Sequence, residues 1–285
     1  MDTAPSLPAR PVDKIRATSG WKALDFAGVW RYRDVLLAIA GRDVKLRYKQ
    51  TFLGIAWVLL QPLLAAGIFT FVFGFIAKMP SDGKPYFIFS YAGLLGWNLF
   101  SNTVTRTSTS LISNSQMISK IYFPRLVLPF STVPSTLLDF GVSLGMFVVF
   151  MLVYRLPVGW PLLLFPVWLV LLLMLSCGVG LWSSALSVSY RDVQYILPVV
   201  MQFLLYGSPV AYSLAYSLSK LPPHLRVFLN LNPLSSLLEA IRWSLLGSDS
   251  PDWRFVAYSA AVCILTLITG AFIFKRMERQ FADVI

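Results

Sequence analysis

Residues 126–154 read LVLPFSTVPSTLLDFGVSLGMFVVFMLVY: twenty-nine residues with one charge, Asp139. A helix needs about 20 mostly apolar residues to cross roughly 30 Å of hydrocarbon, so this stretch is long enough to span a bilayer. The same pattern recurs on both sides of it. Phe52–Ala77, Tyr86–Thr105, Leu156–Tyr190, Val193–Ser219 and Phe255–Phe274 carry no charge at all. Turn residues from Pro157 to Pro161 interrupt the fourth run near its start. The sequence therefore predicts an all-α integral membrane protein with six transmembrane helices, near 52–77, 86–107, 126–154, 161–188, 193–216 and 255–274. Composition agrees: 56% of residues are hydrophobic and 13% charged, against about 25% charged in a soluble domain. Disorder, a collagen-like fibre and a disulfide scaffold are excluded by the same figures. Cys177 and Cys263 both sit inside apolar runs and read as small buried hydrophobes.

The net charge of +11 is explained by topology. With six spans both termini share a side, which receives 17 of the 24 basic residues. Lys and Arg concentrate on the cytoplasmic side of membrane proteins, so both termini are expected there. No nucleic-acid partner is needed to account for the charge. Residues 1–28 lack the apolar core of a signal peptide and read as a flexible cytoplasmic tail. From Val29 to Gln50, Trp30, Leu36, Leu37, Ala40, Val44 and Tyr48 fall on one helical face and Arg31, Arg42, Lys45 and Lys49 on the other. Such a basic amphipathic helix suits a membrane interface, although Arg33 and Arg47 interrupt its stripe. It reads either as a lipid anchor or as a docking bracket for a cytoplasmic subunit.

Catalytic patterns are missing. A phosphate loop needs glycines upstream of its Lys; Gly83-Lys84 has none at the required position. A zinc-hydrolase helix needs two histidines, and the chain contains only His224. Gly-x-Ser-x-Gly occurs once, at Gly141-Val-Ser143-Leu-Gly145, inside the apolar run 126–154 and not at the strand-to-helix turn that a nucleophile elbow requires. The carboxylates Asp82, Glu239, Asp249 and Asp252 are scattered. The chain is expected to be no enzyme and to bind no cofactor itself. Asp139 is the one carboxylate inside the spans, where such groups are costly without a role. It would face a water-filled cavity, pair with a neighbouring helix, lie nearer an interface, or serve a proton-coupled carrier. Gly141 and Gly145 form a Gly-x-x-x-Gly surface for close helix approach, within the chain or between two copies.

Three stretches are more specific. Arg42-Asp43-Val-Lys-Leu-Arg47-Tyr48-Lys49-Gln50-Thr51-Phe-Leu53-Gly54-Ile-Ala-Trp57 runs through Gln61-Pro62 into the first span. Lys120-Ile-Tyr122-Phe123-Pro124-Arg125 lies between the second and third spans. Tyr190-Arg191-Asp192-Val193 joins the fourth to the fifth, followed by Gln202, Gly207-Ser208-Pro209-Val210, Asn232-Pro233 and Glu239-Ala-Ile-Arg242-Trp243. In this order they resemble the ABC-2 type permeases, particularly the membrane subunits of bacterial exporters of O-antigen, capsule or teichoic acid. The resemblance covers roughly residues 25–280. It implies a homodimer in the bacterial inner membrane, working with two copies of a separate ATPase that binds ATP and Mg. It also implies a lipid-linked polysaccharide substrate moving through a channel between the two permeases. An exporter of drugs or small lipids is the alternative on the same fold.

Under that resemblance, the interface helix with Arg42, Asp43, Arg47, Tyr48 and Lys49 precedes the first span. Ile118, Lys120, Ile121, Tyr122, Phe123, Pro124 and Arg125 form an ATPase-coupling segment, with Arg191 and Asp192 at the next junction on the same side; an ordinary turn and a local ion pair are the plainer readings. Gly207, Ser208 and Pro209 break the fifth span, which is tolerable only inside protein or beside water. Asn232 caps a helix with Pro233 in its first turn, and Gly247 closes it. Glu239 and Arg242, three apart on that helix, are placed to pair. The resemblance makes this segment a re-entrant periplasmic gate; the alternative is an interfacial helix. Trp97, Phe100, Tyr206, Tyr212 and Tyr216 are candidates for a glycan lining, because sugar C–H faces stack on aromatic rings. Aromatics at these depths are also ordinary interface anchors.

Overall fold

The computed structural model describes residues 26–49, 54–118, 120 and 123–278, and every regular element among them is helical. α1 (Phe26–Arg31) and α2 (Arg33–Lys49) precede α3 (Gly54–Phe69), which continues into a π-helical stretch, Thr70–Ile76. α4 (Tyr86–Ser113) is followed by the single turn α5 (Ser115–Ile118) and by α6 (Val127–Val153). A 3₁₀ turn, Trp160–Leu164, leads into α7 (Phe165–Ser189), and α8 (Val193–Gly207) follows. Three shorter helices, α9 (Leu214–Lys220), α10 (Pro223–Leu231) and α11 (Pro233–Leu246), separate α8 from α12 (Trp253–Met277). The end of the bundle carrying α2 and α5 is its near end; the end carrying α9–α11 is its far end.

Four described segments are long and apolar enough to cross a membrane: Ala56–Ile76, Val127–Val153, Trp160–Ser189 and Trp253–Met277. The chain is thus an all-α multi-pass membrane protein. α8, with 15 residues, reaches only about 22 Å at 1.5 Å per residue. It stops at Gly207, short of the boundary near 216 that the charge-free run suggested. α4 runs on to Ser113, past the boundary near 107, and carries Arg106 inside the helix.

α4 is less apolar than its neighbours because it lies at the centre. Of its 28 residues 18 are buried, against α3, α6, α7 and α11. Its hydroxyls join helices: Thr103 to Thr136 at 3.2 Å, Thr107 to Thr132 at 3.1 Å and Ser108 to Ser187 at 3.2 Å. Without a hydrophobic drive between helices in lipid, such polar contacts and close packing hold the bundle. Cys177 and Cys263 are buried and free.

The close approaches use other glycines than the pair expected. A Cβ on Gly178 would lie 2.6 Å from the Thr266 carbonyl, and one on Gly270 would lie 2.5 Å from the Gly178 oxygen, so α7 and α12 cross backbone to backbone. A Cβ on Gly180 would meet the Thr107 side chain at 2.6 Å. Gly141 and Gly145 have nothing within 4 Å and take no part in packing within the chain. Overpacking a tight site costs about 1–3 kcal/mol. Gly178→Val is expected to lower the thermal stability of the purified protein by that order, and Gly141→Ala to leave it unchanged, as read by scanning fluorimetry in detergent.

Candidate functional site

The Asp139 carboxylate is buried midway along α6, twelve residues or about 18 Å from Val127. An unpaired charge at such a depth is prohibitive. Three side chains satisfy it. Arg47 from the end of α2 lies 2.9 Å from its Oδ2, Arg106 from α4 bonds the same oxygen, and the Tyr48 hydroxyl donates to Oδ1. Arg106 also donates to Ser135 at 3.1 Å. A polar cleft lined by Gln61, Asn98, Asn102, Thr136 and Ser143 opens beside the cluster, with about 50 Å³ of free space. Of the readings open for Asp139, the structure realises pairing with neighbouring helices.

This cluster also alters the reading of the interface helix. Arg47 reaches inward to the carboxylate rather than interrupting a lipid-facing stripe. The inward stripe of α2 is Tyr32, Val35, Leu36, Ile39 and Ala40, with Ile39 buried among Leu111, Phe123, Val127, Leu181 and Phe274. Trp30 and Leu37, expected on the same face as Ala40, are 70% and 59% exposed. α2 serves two apolar surroundings, its own bundle and whatever lies outside, so one stripe became two. Arg33 sits over the exposed Trp30 ring at 5.6 Å. Lys49 is exposed.

The segment between α4 and α6 is tied at both ends. Arg42, held by Asp43 at 2.8 Å, donates to the Asn114 side chain at 2.6 Å, and Asn114 caps back onto the Ser110 carbonyl at 2.9 Å. Arg125 donates to the Glu278 carbonyl at 2.8 Å, binding the segment to the end of α12. Between these ties lies the single turn α5, Ser115–Ile118. Lys120 is exposed, Pro124 is half-buried and Phe123 packs in the near-end cluster. Ile121 and Tyr122 lie outside the described residues. Arg191 and Asp192, at the same end of the bundle, are both exposed and form no ion pair among the described residues.

At the far end, α8 stops at Gly207, and Ser208–Ser213 lacks regular structure. Its exposed backbone groups find partners in the surrounding helices. Arg242 donates to the Pro209 carbonyl and, at 3.1 Å, to that of Tyr212, and Tyr86 donates to the Ala211 carbonyl at 2.6 Å; beside them the Asn232 side-chain amide donates to the Ser208 hydroxyl at 2.9 Å. Asn232 also accepts from the Leu234 amide at 3.0 Å, so it caps α11 above Pro233, and Gly247 ends that helix at φ 60°. Arg242 spends Nη1 and Nη2 on backbone, while its buried Nε has no hydrogen-bond partner among the described residues, and the guanidinium stacks over Phe89 at 4.3 Å; it makes no ion pair with Glu239, the partner that three-residue spacing suggests. Twelve of the fourteen residues of α11 are buried, so the helix lies within the bundle. Trp243 is wedged edge-on between Trp160 at 5.2 Å and Trp253 at 5.5 Å, and Trp168 donates to Ser244 at 2.7 Å.

Glu239 belongs to no spanning segment. Burial pushes its carboxyl up to about 7, with the Arg242 charge pulling in the opposite direction. Among the aromatic candidates, Trp97 and Phe100 pack against each other in the core at 5% and 2% exposure, so neither reaches a surface. Tyr206 is exposed on α8, Tyr212 donates to its carbonyl at 3.2 Å, and Tyr216 carries the Lys220 ammonium over its ring. The residues that sequence reasoning missed are Arg106 as the partner of Asp139, and Ser235. A buried carboxylate demands a cation, which was a signal for the first. Ser235 gave none beyond its place in an apolar helix.

Residues 34–246 match the family of ABC-2 type transporters, and the chain belongs to that family. It is 28% identical to the O-antigen export system permease protein RfbA of Myxococcus xanthus, over 90% of this chain and 97% of that protein. A second RfbA, from Klebsiella pneumoniae, is 27% identical over 88% of this chain and 95% of its own length. The polysialic acid transport protein KpsM of Escherichia coli is 24% identical, over 83% and 91% respectively.

Removing one partner of a buried ion pair strands the other at a cost of about 3–5 kcal/mol. Asp139→Asn is therefore expected to destabilise the protein by the lower end of that range, Arg47 being partly exposed, and Asp139→Asn with Arg106→Gln to recover part of the loss; thermal unfolding of both variants checks this. For Glu239, the folded-state value lies above the ordinary carboxylate value of 4.5. The folded protein thus holds this proton more tightly than the unfolded chain, and ionisation costs stability above about pH 7 but not below about pH 4.5. Glu239→Gln is expected to raise the melting temperature by a few degrees at pH 8, with the gain fading as the pH falls toward 4.5.

Proposed function

We propose that this chain is the permease subunit of an ATP-driven exporter of lipid-linked polysaccharide, with an O-antigen-type glycan as the first candidate. Two copies would enclose the channel in the bacterial inner membrane, both termini would be cytoplasmic, and two copies of a separate ATPase would supply ATP and Mg. The observation that carries the reading is the doubly tied segment between α4 and α6. A short element pinned by Arg42–Asn114 on one side and Arg125–Glu278 on the other transmits force into α2, α4 and α12 together. That is what a subunit driven from outside the membrane requires. The names of the relatives, O-antigen export and polysialic acid transport, support the polysaccharide over drugs or small lipids. The paired state of Asp139 weighs against a proton-coupled carrier, which needs a carboxylate free to release its proton.

In this reading α11 and the 208–213 break form the re-entrant gate, and the exposed Tyr206 with Tyr212 and Tyr216 lines the route of the glycan. Many weak contacts suit a moving polymer better than one tight site. The ATPase would meet Lys120 and the adjoining residues. Phe123 is a poor probe because truncating a buried Phe costs about 3–5 kcal/mol. The better variant is Lys120→Glu with Tyr122→Ala. The full chain is expected to co-purify with an ABC ATPase from its host, and this variant to keep ATP turnover while surface glycan falls by about tenfold or more. Normal export by the variant would remove the coupling assignment, and export without any ATPase would remove the function.

A further inference from the structure

A second cavity lies at the far end, enclosed by α9, α10, α11 and the start of α12, with a free volume of about 200 Å³. At roughly 30 Å³ per water it holds about six or seven waters, the room of one small ring and not of a chain. Its wall is divided in chemistry. Leu214, Leu229 and Phe255 make an apolar side; Asn230, Ser235, Glu239 and Asp252 make a polar one. Two of the polar groups are unspent. The Ser235 hydroxyl is 1% exposed and has no hydrogen-bond partner, and the half-buried Glu239 carboxylate makes no hydrogen bond or ion pair among the described residues. Its neighbour in sequence, Ser236, is by contrast satisfied by Ser259 at 2.6 Å. A buried polar group without a partner costs stability, and an unspent hydroxyl beside an unspent carboxylate at the wall of a cavity is best explained by a ligand that supplies the missing bonds.

The lining selects the ligand. Two carboxylates repel phosphate, sulfate and uronic acids. A bound divalent cation takes six or more oxygens around it, whereas one side of this cavity is hydrocarbon. A neutral sugar ring fits both walls: its hydroxyls donate to carboxylates and exchange hydrogen bonds with Ser235 and Asn230, while its C–H face lies on Phe255 and the leucines. We infer that the cavity between α9–α11 and α12 docks a single neutral, hydroxyl-bearing sugar ring. The inference rests on the exporter reading for the source of that ring, a unit of the exported glycan; a free sugar from the surrounding medium has the same chemistry. One ring held at the far end would act as a station on the exit path, gripping one unit at a time.

The test uses the full chain with its ATPase in nanodiscs. Saturation-transfer NMR and calorimetry would be run with methyl glycosides of common hexoses and with a short oligosaccharide from the host's surface glycan. Ser235→Ala, Ser235→Leu and Glu239→Gln are compared with the unaltered protein, and glycan export is followed in cells. Ser235→Ala removes an unpaired hydroxyl, so it is expected to keep or raise the melting temperature while weakening sugar binding by about tenfold, the worth of one good hydrogen bond to a sugar hydroxyl. Ser235→Leu fills the space and abolishes binding, and Glu239→Gln weakens it by a similar tenfold at pH 8. Binding confined to the oligosaccharide identifies the exported chain as the source; equal binding of simple glycosides identifies the medium. Absence of saturable sugar binding, binding indifferent to all three variants, or replacement of sugar by calcium or a primary amine as the ligand overturns the site. Export with such indifferent variants would leave the exporter reading standing. Sugar binding that depends on Ser235 in a protein that exports no glycan would do the reverse.

Discussion

A carboxylate at the middle of an apolar helix has to be neutralised where it lies, and the arrangement of the near half of this protein follows from that requirement. Asp139 draws Arg106 from α4 and Arg47 and Tyr48 from α2 onto one face of α6. Thr132, Ser135, Thr136 and Ser143 extend the same face at spacings of three, four and seven residues, the helical repeat. The polar stripe of α6 is therefore turned toward α4 and the apolar remainder outward. α2 packs beside α6, and its last turn brings Arg47 and Tyr48 to the carboxylate. The N-terminal helix is thereby made part of the bundle, and its movements and those of α4 and α6 are coupled through one charged centre.

The ties around the segment between α4 and α6 extend that coupling. Arg42 belongs to the helix that ends on Asp139, and it also holds Asn114 at the end of α4. Arg125 reaches the Glu278 carbonyl just past the end of α12. Displacing the segment thus loads three helices at once, through hydrogen bonds that have no slack, before any apolar surface needs to slide. The crossing of α7 and α12 at Gly178 and Gly270 carries the load onward, because backbones in direct contact do not yield as side chains do.

Local signals were legible in the sequence and distant ones were not. Charge-free runs are a property of consecutive residues, so the membrane class and most helices could be read directly, as could the Asn232–Pro233 start and Gly247 end of α11. The charge-free run of α4 stops at Thr105 although the helix continues to Ser113, because a buried helix at the centre of a bundle tolerates charge that a lipid-facing one does not. Pairings over long separations had no local mark: Arg106 with Asp139 across 33 residues, and Arg242 with the Pro209 carbonyl across 33. The Glu239–Arg242 pair failed for the same reason. Helical spacing made it possible, but the bare carbonyls of a broken helix elsewhere were stronger claimants for the guanidinium. The placement of Trp97 and Phe100 failed because hydrophobicity does not distinguish a protein interior from a channel wall.

Arg242 has one further consequence. Because a single side chain bonds the carbonyls at both ends of the 209–212 turn and rests on the Phe89 ring of α4, the turn, α11 and the first turns of α4 share one fastening. Pulling any one of the three away would strip two carbonyls of their donor. The cheaper deformation leaves this knot intact and bends the chain on either side of it, at Leu221–Pro222 and across the stretch from Gly247 to Asp252.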